Sequence, residues 1–231
     1  MSDPDAYVML ISSLPTPEPI FLAKQTPLSR LKLDQRLRVL TPGHAAVLRQ
    51  VEDALRWDHL PIELSDAEVV NHGRRALAQI DNEVLTRLIF DRLEIRTCVA
   101  ALRRRLRGEA APAAGTRWGI GRWVNHIARH WTEPTFRLDG VFPWLREADR
   151  LLKDGDSMAL ERLLLQEAWR KLVRQAGEHP FDFEAVVIYV LKWNIVDRWT
   201  RYNAAAAARR FHDLTEAGLG RFAAPTFTEQ S

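Results

Sequence analysis

The chain carries one cysteine, Cys98, in 231 residues. No disulfide can form within it, which excludes the disulfide-stapled secreted scaffolds and fits a reducing compartment. Long hydrophobic runs are missing too: no stretch approaches the ~18 apolar residues of a membrane-spanning helix. The opening Met1-Ser2-Asp3-Pro4-Asp5 is acidic and has no positive n-region, so no secretory signal is expected. Charge of one sign is scarce. The formal net charge is +3 and the sequence pI about 9.3, too weak a surplus to mark a nucleic-acid or anionic-membrane protein by itself. A cytoplasmic protein is expected.

What is present has a helical rhythm. Apolar residues make up 46% and charged residues 27%, enough to bury a sizeable core in one large domain or two small lobes. The clearest element runs from Glu83 to Arg107, with apolar residues at 85, 88, 89, 93, 95, 99, 102 and 106. Asp81 or Asn82 can cap its start. Gly108 sits where a left-handed residue ends a helix, and Arg103, Arg104, Arg105 and Arg107 crowd the negative end of the dipole.

Similar signals recur along the chain. Residues 6–14 form a short apolar run that reads as a strand or a buried extended segment. Pro15, Pro17 and Pro19 interrupt regular structure. Residues 28–40 have helical spacing. Thr41-Pro42 starts a helix reaching about Trp57, Pro61 breaks the chain, and Ser65-Asp66-Ala67-Glu68 is a capping box for a helix to about Ile80. A short helix is predicted over 121–131, one from Pro143 to near Gly155, one capped by Asp156 or Ser157 to about Ala176, and a strongly apolar one from Phe181 to Tyr202. Asn203 with Ala204–Ala208 can begin another. The expected fold is all-α, a two-lobed multi-helix bundle with a possible short N-terminal strand. Its expected divisions are an N-terminal helical lobe (1–107), a small-residue linker (108–117), a C-terminal helical lobe (118–218) and a flexible tail (219–231).

Candidate chemistry is thin. His126 and His130 are one helical turn apart, a metal-ligand spacing, but the general-base glutamate of a zinc helix is missing and Arg129 would oppose a cation. Trp118-Gly119-Ile120-Gly121 lacks the strand, third glycine and later acid of a dinucleotide loop, so its glycines are expected to serve a tight turn and close packing. Asp91 and Glu94 are explained by ion pairing with Arg87, Arg92 and Arg96, and Asp182 and Glu184 by the positive start of a helix. Cys98 and Ser12-Ser13 have no nucleophile context. Consecutive arginines at 103–107 point in different directions and make no single phosphate stripe. Most of the eight tryptophans are expected in the core or between lobes. No catalytic residue, cofactor or metal is expected.

Two groups of residues resemble a known family. Tyr7-Val8-Met9-Leu10-Ile11-Ser12-Ser13-Leu14-Pro15 resembles the aromatic-apolar-Ser-Leu-Pro start of a small bacterial family of unassigned function that accompanies V-type ATPase genes. Glu94-Ile95-Arg96-Thr97, then Leu102-Arg103 and Gly108, is similar to the acidic-x-basic-Asn helix of the C-type (eukaryotic d-type) subunit family of V/A-type ATPases. Thr97 stands where that family has Asn, and Arg105 where it has Lys. Residues 183–202 resemble the family's C-terminal helix, with Asn194-Ile195 where an acidic-apolar pair is expected; the echo of Glu94-Ile95 hints at an internal duplication.

The resemblance implies a helical, funnel-like socket that links the central shaft of a rotary ATPase to its membrane ring and has no active site. A non-catalytic coupling or assembly subunit is therefore expected, cytoplasmic and peripheral to the membrane through its partners, with no small-molecule substrate. Arg96, Arg103, Arg104, Arg105, Arg107 and Arg201 are its candidate partner interface. The alternatives are a helical nucleic-acid-binding protein using Arg103–Arg107 and a metal-dependent helical-bundle enzyme centred on His126 and His130.

Overall fold

The computed structural model describes residues 4–55 and 66–222, with side chains for most of them. Among the described residues the protein is all-α, with nine helices and no strand. Among the described residues no helix is long and apolar enough to cross a membrane.

The N-terminal run is helical rather than extended: α1 spans Pro4–Ser13. Tyr7, Leu10 and Leu14 are buried at one-turn spacing, so the run carries a helix stripe, and Pro4 opens it with a preset φ. The short helix α2 (Arg30–Leu37) starts at Ser29, whose hydroxyl accepts from the Lys32 N–H. In α3 (Pro42–Leu55), Thr41 Oγ1 accepts from the His44 N–H. Trp57, Pro61 and Ser65, expected to end one helix and open the next, lie outside the described residues. Then comes α4 (Asp66–Ala78).

The long rod α5 spans Glu83–Leu106, 24 residues, or about 36 Å. Asn82 caps it by accepting from the Leu85 N–H at 3.0 Å. Gly108, at φ +78°, ends it: its N–H donates to Arg105 and the Glu109 N–H to Arg104, the paired bonds of a Schellman motif. The shorter α6 (Val124–Arg129) and α7 (Trp144–Lys153) follow. Asp156 caps α8 (Ser157–Ala176). The last helix, α9, runs unbroken through Phe183–Phe222. The separate helix expected from Asn203 does not exist, because no proline or glycine interrupts residues 183–217 and the alanine run continues the turn pattern. The tail expected over 219–231 is helical as far as Phe222 and lies outside the described residues beyond it.

Two apolar clusters form the interior. One joins α1 to α4, the first half of α5, α8 and α9, around Leu33, Val51, Leu85, Ile89, Val186 and Val190. The other joins the second half of α5 to the 118–142 segment, α7 and the start of α8, around Cys98, Leu102, Ile127, Phe136 and Leu145. The rod α5 passes from one to the other, so its residues before Glu94 and after it serve different cores. Trp118, Trp131, Trp144, Trp193 and Trp199 are buried in these clusters.

Candidate functional site

The middle of α5 places residues on opposite faces with different fates. Glu94 is buried and turned toward the 118–122 segment. Its Oε1 accepts from the Arg122 N–H at 2.8 Å and its Oε2 from Arg122 Nη2 at 3.2 Å. Thr97, one turn on, accepts from the Ile120 N–H at 2.9 Å, and its hydroxyl lies 2.8 Å from the Ile120 carbonyl. A Cβ on Gly119 would overlap the Thr97 methyl, and one on Gly121, at φ +139°, would come within 2.9 Å of Glu94 Cγ. The two glycines therefore serve a turn and close packing against α5, as the sequence led us to expect.

The opposite face, carrying Leu88, Arg92, Ile95 and Arg96, opens on a cavity of about 690 Å³ walled also by α3, α8, α9 and the first residue of α2. Six cations line it: Arg30, Arg92, Arg96, Lys171, Arg198 and Arg201. The acids among the lining residues are Glu52 and Asp197. Arg30 binds Glu52 through two bonds, Nη1–Oε1 at 2.7 Å and Nη2–Oε2 at 3.0 Å, and holds Asp34 as well, so its proton is locked on above the usual guanidinium range. Asn194 Nδ2 donates to the same Glu52 at 2.9 Å. Arg96 Nη2 donates to the Leu55 carbonyl at 2.7 Å. Lys171 pairs with Asp91 at 3.2 Å, Arg198 with Glu161, and Arg201 with Asp197.

Arg92 lines the cavity too, and its Nη1 is buried without a hydrogen-bond partner. Burial, followed by the nearby positive charge of Arg198, pushes its pKa down to about 10; Glu161 opposes the shift. A buried guanidinium without a hydrogen-bonded acid is costly, because the charge has lost water and gained no fixed counter-ion. The rest of the lining is apolar or aromatic, with Leu88, Leu172, Leu191, Ile195, Trp193 and Tyr202. The mouth carries exposed Arg198 and Arg201, and the interior carries Arg92.

The ion pairing expected for Asp91 and Glu94 exists, but with other partners. Lys171 takes Asp91, Arg122 takes Glu94, and Arg87 is tied to Glu83 at 2.7 Å. The six arginines expected as an interface also separate. Arg96 and Arg201 share the cavity. Arg105 faces inward: it donates to the carbonyls of Glu133 and Pro134, reaches Asp149 Oδ1 at 2.8 Å, and lies over the Phe136 ring at 4.6 Å. Arg104 and Arg107 both pair with Glu109, whose carboxyl they hold below the usual range, Arg107 first. Arg103 is exposed.

His126 and His130 have ring centroids 4.4 Å apart. His126 Nε2 lies 2.9 Å from the Phe136 carbonyl; a carbonyl only accepts, so that nitrogen carries the proton and does not face a metal. The His130 pKa is lowered by partial desolvation and then by the positive side of His126. Among the described residues, the cluster with metal-ligand spacing is instead His179, Asp182 and Glu184. Its groups are already engaged: His179 Nδ1 with Asp182 Oδ2 at 2.6 Å, Asp182 Oδ1 with the Ala185 N–H at 2.8 Å, and Glu184 Oε1 with Asn82 Nδ2 at 2.7 Å. This is helix capping at the start of α9. Cys98 is buried and its thiol is pushed up to about 12, mainly by burial, so it is no nucleophile.

The cavity was missed in the sequence. Its signal was Arg92, a cation on the buried stripe of α5 one turn from Leu88 and from Arg96. Compared with known proteins, the chain matches no family model, no curated protein sequence and no solved structure.

Proposed function

We propose that this protein is a non-catalytic coupling or assembly subunit, of the kind implied by the resemblance to the C-type subunits of V/A-type rotary ATPases, and that the mouth of its basic cavity receives an acidic surface of a partner protein. One observation carries the reading. Ile95 and Arg96 from the acidic-x-basic helix, and Asn194 and Ile195 from the C-terminal helix, line the same cavity. Two of the three segments that carry the resemblance thus converge on one basic socket. Exposed Arg198 and Arg201, each paired with one acid, Glu161 and Asp197, present their guanidinium groups at that socket, where an acidic surface can meet them. The partners are the central shaft and the membrane ring, and the contact with the membrane is made through them.

The candidate interface narrows to the arginines that line the cavity, Arg96 and Arg201, joined by Arg198. Arg105 is turned inward onto Asp149, and Arg104 and Arg107 pair with Glu109 away from the cavity. That arrangement offers no continuous stripe for a phosphate backbone and does not favour the nucleic-acid reading. Purification of the tagged chain from its native host tests the proposal. Shaft and ring subunits travelling with it are the expected result; their absence at low salt removes the reading.

A further inference from the structure

We propose that the interior of the cavity is a binding site for a small soluble phosphate ester with an apolar or aromatic body, and that the Arg92 guanidinium is its principal anion ligand. The inference goes beyond the coupling role and does not depend on it: the partner surface belongs to the exposed mouth, the small anion to the buried end.

Three observations converge. The first is Arg92 itself, which lines the cavity and whose buried Nη1 has no protein partner. Proteins pair or hydrogen-bond nearly every buried charge, so a guanidinium left with an unused N–H in a cavity wall is suited to an outside acceptor. The second is the surrounding charge. Four of the lining cations have an acid of their own, Arg30 with Glu52, Lys171 with Asp91, Arg198 with Glu161 and Arg201 with Asp197, whereas Arg92 has no ion pair and feels the positive charge of Arg198 beside it. A phosphoryl group supplies several acceptor oxygens, and a guanidinium fork matches that geometry. The third is the shape and lining. About 690 Å³ falls within the range of small-molecule sites, far larger than a bare phosphate requires. Leu88, Leu172, Leu191 and Ile195 form an apolar wall, with Trp193 and Tyr202 offering ring surface. Cations and apolar surface in one enclosure match an ester with two chemically different ends.

The purified full chain is titrated with 1-naphthyl phosphate, inorganic phosphate and uncharged 1-naphthol, at matched low ionic strength, by calorimetry and thermal unfolding. The expected result is saturable binding of 1-naphthyl phosphate at least tenfold tighter than inorganic phosphate, and none of 1-naphthol. At a hundredfold excess over Kd, Tm rises by about 5–10 °C. Arg92→Met keeps most of the bulk and removes the charge. It is expected to lose at least ten-fold in affinity, the scale of charge-assisted hydrogen bonds, and to unfold at the same or a higher temperature without ligand. Lys171→Gln, on the half-buried wall, is the second variant and is expected to weaken binding about threefold to tenfold by the same reasoning.

No binding by the wild-type chain overturns the proposal, as does an Arg92→Met affinity within threefold of wild type. Equal affinities for inorganic phosphate and the naphthyl ester overturn its apolar half. Pelleting with phosphatidate vesicles, while the soluble esters leave Tm unmoved, assigns the chemistry to a lipid headgroup and overturns the soluble-ester proposal. None of these outcomes bears on whether ATPase subunits co-purify.

Discussion

Glu94 and the backbone N–H of Arg122 lie 2.8 Å apart although 28 residues separate them. The carboxylate is buried on α5, and it satisfies a backbone donor of the segment that follows residues 108–117. Removing it strands that donor, while the exposed Arg122 guanidinium returns to water.

Glu94→Ala should therefore cost about 1–3 kcal/mol, the scale of leaving a buried donor unmet, since the exposed Arg122 adds little. Urea unfolding should show a lower midpoint at an unchanged slope. Glu94→Gln should cost clearly less, because the amide oxygen still accepts the Arg122 N–H. A loss under about 0.5 kcal/mol for the alanine variant, the level of a neutral surface change, contradicts the clip.

Gly119→Ala should destabilise by about 1–3 kcal/mol, since the new methyl overlaps that of Thr97. Thr97→Ser removes the opposing methyl and keeps the hydroxyl between Leu93 and Ile120. The double variant should recover most of the loss, giving a coupling energy well away from zero in the cycle. Simple additivity would show that the glycine is not held by Thr97.

Arg105 and Arg103 are neighbours in sequence with opposite duties. Arg105→Ala breaks the bond to Asp149 and the donations to the 133–134 carbonyls, and should cost about 2–4 kcal/mol. Arg103→Ala, at an exposed position, should stay within about 0.5 kcal/mol. Thermal unfolding of the two variants side by side decides it; similar losses contradict the inward clamp.

Cys98 should resist thiol reagents in the folded protein and react at the rate of unfolding, because it is buried. Its thiol is raised from 9.0 to about 12 in the fold, by burial first and then by Glu94. Above pH 9 the unfolded chain gives up this proton while the folded chain keeps it. The unfolded state then binds fewer protons, so this group's contribution to stability falls as the pH rises from about 9 toward 12. Cys98→Ala should flatten that part of the pH profile. Rapid labelling of native protein at pH 8 would place the thiol at the surface instead.

Local features were legible in the sequence and long-range ones were not. Asn82, Asp156 and Gly108 punctuate helices through bonds that span three to five residues, so their roles follow from short spacing alone. The Gly119–Gly121 turn was legible for the same reason, as a need for space, though not its dependence on Thr97. The N-terminal run was misread because seven or eight apolar residues fit a strand as well as a helix; burial of Tyr7, Leu10 and Leu14 settles the period. Spacing on a single helix correctly suggested that Asp91 and Glu94 are ion-paired. It named the wrong partners, since Lys171 and Arg122 arrive from elsewhere in the chain. The cavity needs α3, α5, α8 and α9 in register, and no local pattern encodes that. Arg92, a charge on an apolar stripe, was its one local signal, and spacing alone explained it as an ion-pair partner.

The most direct test of the coupling role compares proteins recovered with three tagged forms expressed at native level: the wild-type chain, the Arg198→Glu/Arg201→Glu variant and Arg103→Glu. Quantitative mass spectrometry is expected to find shaft and ring subunits of a rotary ATPase with the wild-type chain and with Arg103→Glu, and at least tenfold less with the reversed cavity mouth, the scale of losing charge complementarity at an interface. Recovery of those subunits with none of the three, or equally with all three, contradicts it.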